Sequence, residues 1–145
     1  MNNENFVTDI LKQLINKVLN LETDITFLRV KNSLSITAMA REFGTIKLQS
    51  HRQAGHTSAI IELATKNSLV IVPTQLHPLF RKKSDYMIIS TITHVDSIIG
   101  INNVDMIFVD QASSISINYI KELYDASFLS KCFKNSKIPI LIFLE

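Results

Sequence analysis

The amino-acid sequence predicts an α/β fold with a mostly parallel sheet of about five strands, and three observations point to it. Compact apolar runs recur at residues 68–72, 87–92, 106–109 and 140–144, preceded by a shorter run at 46–48. They are rich in Ile and Val and lack strict polar alternation, as strands covered by helices on both faces do. Helix-compatible stretches at 56–65, 73–83, 93–99 and 114–133 separate them, and that alternation is the pattern of βαβ units.

Taken in order, Phe6, Val7, Ile10, Leu11, Leu14, Ile15, Val18 and Leu19 recur at three- and four-residue spacings. They predict an amphipathic helix over roughly residues 5–20 whose apolar stripe must dock on a core. A second, short helix is expected over residues 35–43. Ser33 or Ser35 is its N-cap, and Gly44 lies just past its last turn as the stop signal. Residues 22–30 read either as a strand or as an extended lead-in. Residues 1–44 are therefore expected to form a helical segment packed on a core of residues 45–145, within one domain.

Composition narrows the function classes. A chain of 145 residues, 46% apolar and 19% charged, suits one soluble domain with a single core and excludes two large ones. Three glycines, where about ten would be ordinary, exclude glycine-rich linkers and repeats. The net charge of +2, from 15 basic and 13 acidic side chains, does not announce a nucleic-acid or membrane surface. A single cysteine, Cys132, excludes an internal disulfide and fits a reducing, cytoplasmic setting, with its thiol packed under a helix. The first twenty residues interleave charged and amide side chains with apolar ones, so neither a signal peptide nor a membrane span is expected there.

The loop after the first core strand carries the first chemical signal. Gln49-Ser50-His51-Arg52-Gln53-Ala54-Gly55-His56-Thr57-Ser58 lies between that strand and a helix rich in Ala, Ile and Leu. In the phosphate-loop pattern G-x-x-x-x-G-K followed by Ser or Thr, backbone N–H groups wrap the phosphates and the helix N-terminus adds its positive end. The Lys neutralises the terminal phosphates and the hydroxyl ligates magnesium. Gly55 and Thr57 occupy the second Gly and the hydroxyl position, whereas Ser50 replaces the first Gly and His56 replaces the Lys. A second signal comes from Met106-Ile107-Phe108-Val109-Asp110-Gln111, an apolar strand ending in an acid, as a magnesium-holding Walker B strand does. Gln111 stands where a water-activating Glu normally follows; a carboxamide orients water but takes no proton.

In these segments the sequence resembles the ATPase domain of the large terminase subunits of tailed phages, related to superfamily-2 helicase cores. Arg52-Gln53-Ala54-Gly55-His56-Thr57-Ser58 is similar to the family's R-Q-x-G-K loop with its two following hydroxyls. Leu69-Val70-Ile71-Val72-Pro73-Thr74 looks like the strand and turn after the phosphate-loop helix. Gly100 and the stretch from Val104 to Ser113 are similar to the family's Gly followed by an acidic strand. The resemblance covers residues 45–145 and implies a three-layer P-loop fold, with ATP or another nucleoside triphosphate and Mg as ligands. It also implies that Arg52, Gln53, Ala54, Gly55, His56, Thr57 and Ser58 hold the nucleotide and that Thr57 and Asp110 hold Mg. Arg52 would face the γ-phosphate as a cis arginine finger and Gln111 would orient water. With His56 and Gln111 in place of Lys and Glu, hydrolysis is expected to be weak or absent. A chain ending at Glu145 is expected to lack a nuclease domain and most of a motor's second half.

Plainer readings stand beside each of these. Gly55-His56-Thr57 also suits a turn with Thr as N-cap, and Asp110 suits a cap for a helix starting at Ser113 or Ser114. Arg52 and His51 suit ordinary surface positions, and His77 and His94 suit caps or surface. The rival function is a pseudo-ATPase without ligand, an interaction module for a protein partner or a second copy of itself. A third is nucleic-acid binding through Arg81-Lys82-Lys83, which also suits a helix C-terminus.

Overall fold

Five short apolar runs pair into one all-parallel sheet, and helices cover both of its faces. The computed structural model describes residues 3–23, 33–49, 55–76, 78, 87–90, 103–134 and 138–145. The strands are β1 (Thr45–Leu48), β2 (Ser68–Val72), β3 (Met87–Ser90), β4 (Met106–Asp110) and β5 (Ile140–Leu144). Their order across the sheet is β1-β5-β4-β2-β3, and every neighbouring pair is parallel. Side chains leave a strand alternately to its two faces, so each run feeds two cores. Leu69, Ile71, Ile107, Val109, Leu141 and Phe143 enter one, and Val70, Val72, Phe108, Ile140, Ile142 and Leu144 enter the other.

The second of those faces is covered by α1 (Asn3–Leu19) and α3 (His56–Leu63). Val7, Leu11, Ile15 and Val18 of α1 are buried there with Ala59 and Ile60 of α3, and each large side chain removed from water contributes roughly 2 kcal/mol. The buried stripe is narrower than the eight apolar positions allow. Phe6 is 58% exposed and Leu19 is 51% exposed, because eight positions wrap further round the helix than one flat contact reaches. Thr8, buried on the same stripe, donates to Glu62 at the far end of α3, 3.2 Å away. Helix α1 thus packs on the core alongside α3.

The short helix α2 (Ile36–Glu42) starts where Ser35, not Ser33, accepts a hydrogen bond from the Ala38 N–H at 3.1 Å. At its other end Gly44 donates to Met39 and Ala40, as a residue past the last turn does. Its glycine identity has a different cause from a left-handed stop. A Cβ on Gly44 would lie 1.7 Å from the Pro139 carbonyl oxygen, so only glycine lets this backbone pass the approach to β5. Among the described residues the glycine at positive φ is Gly55.

The other face is covered by α4 (Ile117–Leu123) and α5 (Ala126–Cys132), with Ala40 of α2. The helix-compatible stretch 114–133 therefore splits in two. Ser116 caps α4 by accepting from Tyr119 N–H at 3.2 Å, and Asp125 caps α5 by accepting from Phe128 N–H at 3.1 Å. Neither Gly nor Pro marks the break, so periodicity alone does not reveal it. Within 73–83, Thr74–Leu76 forms a 3-10 turn and Pro78 is helical, and residues 77 and 79–83 lie outside the described residues. The expected helix at 93–99 lies outside the described residues. Of the strand or extended lead-in expected over 22–30, Glu22 and Thr23 instead close a 3-10 helix (Asn20–Thr23), and residues 24–30 lie outside the described residues. Among the described residues, no helix is long and apolar enough to cross a membrane.

Chain direction sets where a ligand would sit. After β1 the chain goes on to α3 on one face, and after β4 it goes on to α4 and α5 on the other, with the carboxyl end of β5 between them. In open parallel sheets the crevice for ligands forms at such a reversal, outside the carboxyl ends of the strands.

Candidate functional site

Two segments meet at that carboxyl edge of the sheet, the start of α3 and the end of β4. Gly55 is the N-cap of α3, with φ 88° and ψ 23°, a left-handed conformation that glycine adopts without a Cβ penalty. Its carbonyl accepts the Ala59 N–H at 2.9 Å. Helices α2, α4 and α5 start at Ser35, Ser116 and Asp125, each of which accepts a backbone N–H, whereas α3 starts with no side-chain cap. Thr57 is thus not the N-cap that the plainer reading made it. It is the second residue of the helix, and its hydroxyl turns away from its own backbone.

That hydroxyl donates to Asp110 Oδ2 at 2.7 Å, across 53 residues of sequence. Neighbouring strands lie about 4.8 Å apart, so β1 and β4, separated by β5, are about 10 Å apart. The first turn of α3 closes that gap. Asp110 is 2% exposed, and its other oxygen accepts the Gln111 N–H at 2.9 Å. A carboxylate has about four acceptor directions, so two hydrogen bonds leave capacity for water or a cation. Asp110 does not cap the following helix; Ser116 does that.

Burial dominates the electrostatics here. It raises the Asp110 carboxyl above the ordinary carboxylate range, against the opposing pull of the Thr57 hydroxyl, the Gln111 N–H and the His56 ring. Burial also lowers His56 below the usual imidazole value, although Asp110 acts to raise it. Both groups shift toward their neutral forms, so His56 is not the standing cation that Lys provides in a phosphate loop. An adjacent polyphosphate would pull the ring back toward imidazolium.

Gln111 follows with φ 53° and ψ 49°, left-handed and exposed. Its carbonyl accepts both the Ser114 N–H at 3.0 Å and the Ser114 hydroxyl at 2.7 Å, within the 3-10 turn Ala112–Ser114. The sequence reading passed over Ser114 as part of this turn, although a hydroxyl three residues beyond a strand-end position is the spacing such a contact needs. It also missed a contact under β1, where the Thr45 and Tyr124 hydroxyls lie 2.5 Å apart and the Arg41 guanidinium stacks 4.6 Å above the Tyr124 ring. No local pattern links residues 79 positions apart.

The structure thus brings together Gly55, His56, Thr57 and Ser58 at the start of α3 with Asp110 and Gln111 at the end of β4. Ser50, His51, Arg52, Gln53 and Ala54 lie outside the described residues, as do His77, Arg81, Lys82, Lys83, His94 and Gly100. Cys132 is buried and its thiol is pushed up to about 12 by that burial, which makes it a packing residue. Among the described residues no group of three or more His, Cys, Asp or Glu side chains gathers to hold a metal. A hydroxyl and one carboxylate fit magnesium, which keeps several waters and binds through one or two carboxylates plus substrate phosphates. No protein-family model matches the chain, and neither a curated protein nor a solved structure matches it.

Proposed function

We propose that this chain binds a nucleoside triphosphate with magnesium at the crevice between α3 and β4, with slow or no hydrolysis. The observation that carries the reading is the 2.7 Å hydrogen bond from Thr57 to the buried Asp110. A hydroxyl in the first turn of a helix and a strand-end carboxylate are the two side chains a phosphate loop uses around magnesium. They converge at the place in the topology where parallel sheets bind ligands. The resemblance to terminase ATPase domains is the reason to name a nucleoside triphosphate rather than another phosphate, and to connect it with phage DNA transactions.

In this reading, the backbone N–H groups at the start of α3 hold phosphate oxygens and Gly55 lets the backbone come close to them. Thr57 and Asp110 would hold the cation, which would neutralise phosphate charge. His56, which burial shifts toward its neutral form, is a weaker partner for phosphate than Lys. Arg52, by resemblance, faces the terminal phosphate. Gln111 hydrogen-bonds a water without taking its proton, so the step that needs a base is slow.

Thermal melting tests this. Millimolar Mg-ATP or Mg-GTP should raise the midpoint, since a ligand at a hundred times its Kd adds about 2.7 kcal/mol. An unchanged midpoint with both nucleotides overturns the reading. That result would favour the non-enzymatic interaction module instead. Replacing His56 by Lys and Gln111 by Glu together should produce measurable turnover in a chain that binds nucleotide.

A further inference from the structure

The turn after β4 has a feature that magnesium binding does not call for. Both backbone groups of Gln111 are engaged, its N–H donating to Asp110 Oδ1 at 2.9 Å and its carbonyl accepting from the backbone N–H and hydroxyl of Ser114. These contacts keep it left-handed, a conformation in which, among the described residues, the other non-glycine is Asn103. Asparagine visits that region readily; glutamine does so seldom and must be held there. Backbone held in such a conformation clusters at functional sites. What is fixed is the backbone of Gln111, which carries an exposed side chain directly after the residue that would hold magnesium.

We propose that residues 110–114 form a reader of the third phosphate, in which the side-chain NH2 of Gln111 binds a γ-phosphate oxygen, its carbonyl oxygen being left for the water, and Ser114 is the positioning residue. The inference rests on the nucleotide reading above and adds to it selectivity for triphosphate over diphosphate. A carboxamide presents two N–H donors and no charge, so it attracts a phosphate oxygen that a carboxylate in its place would repel. Glutamine at this position therefore favours retention of the triphosphate over its breakdown. The Ser114 hydroxyl is the removable half of the clamp, because its backbone N–H remains in any non-proline variant.

Equilibrium titration with Mg-ADP and with a non-hydrolysable Mg-ATP analogue separates the possibilities. The unmodified chain should prefer the triphosphate analogue by at least about tenfold, the worth of one charge-assisted hydrogen bond. Ser114→Ala should reduce that preference about fivefold and leave Mg-ADP affinity unchanged, and Ser114→Thr, which keeps the hydroxyl, should restore it. Gln111→Glu should lower affinity for the analogue, and Gln111→Ala gives the same readout should Ser114→Ala fold poorly. Equal preference in the unmodified chain, Ser114→Ala and Gln111→Ala overturns the phosphate reader and leaves nucleotide binding standing. Absence of binding to either nucleotide in the unmodified chain overturns both.

Discussion

Strands β4 and β5 lie side by side, are equally long and are buried almost throughout, yet they end in opposite chemistry. Asp110 closes β4 and is paired in the sheet with Leu144, which closes β5. Leu144 is fully buried and Asp110 is 2% exposed. For Leu144 burial is the driving force of the fold. For Asp110 it opposes ionisation, as its raised carboxyl shows, and one hydroxyl and one N–H only partly offset that. A leucine at 110 would fold with less conflict. A carboxylate whose burial opposes its ionisation is the kind of group the proposed cation site calls for.

The largest effect should come from making β5 resemble β4. Leu144→Asp puts a second carboxylate beside Asp110 with no hydroxyl to receive it, and should cost more than about 4 kcal/mol or abolish a cooperative melt. A stable Leu144→Asp protein would show that this edge is wetter than its burial indicates. Leu144→Ala, which only opens a cavity, should cost about 2–5 kcal/mol in denaturant unfolding.

The reverse change has the opposite sign. Asp110→Asn should raise Tm at pH 7 by about 3 °C, the equivalent of roughly 1 kcal/mol in a domain of this length. Because the folded state raises the carboxyl's pKa, the protonated form is favoured by folding. That contribution is full at acid pH and is lost as pH rises from the ordinary carboxylate range through the raised value. The gain from Asp110→Asn should therefore shrink as pH falls through that window, which melts at a series of pH values would show. An effect of similar size and opposite sign is expected for Thr57→Val, a loss of about 1 kcal/mol for one hydrogen bond.

The same pair of strands shows how far sequence reading reaches. Both were legible as apolar runs, and the bounds of β5 and β2 match the expected 140–144 and 68–72, because a strand buried on both faces writes its limits in hydrophobicity. Asp110 was legible as a strand-end acid and Thr57 as a loop hydroxyl, each with a plain capping alternative. Only the tertiary contact decides between them, and a contact spanning 53 residues leaves no local trace. The split at Tyr124 and Asp125 was hidden because side-chain capping, rather than Gly or Pro, ends one helix and starts the next. The close approach of Gly44 to Pro139 was hidden too, since glycine past a helix end already had a sufficient local explanation.

The most direct test is equilibrium binding of a fluorescent ATP analogue to the unmodified chain, Thr57→Val and Thr57→Ser, with magnesium and with EDTA. Binding should require magnesium, weaken at least about tenfold in Thr57→Val and return in Thr57→Ser, since the serine hydroxyl can still reach Asp110 and the cation. Binding that ignores magnesium and is equal in all three proteins, or no binding at all, would contradict the assignment of Thr57 and Asp110 as the magnesium-holding pair.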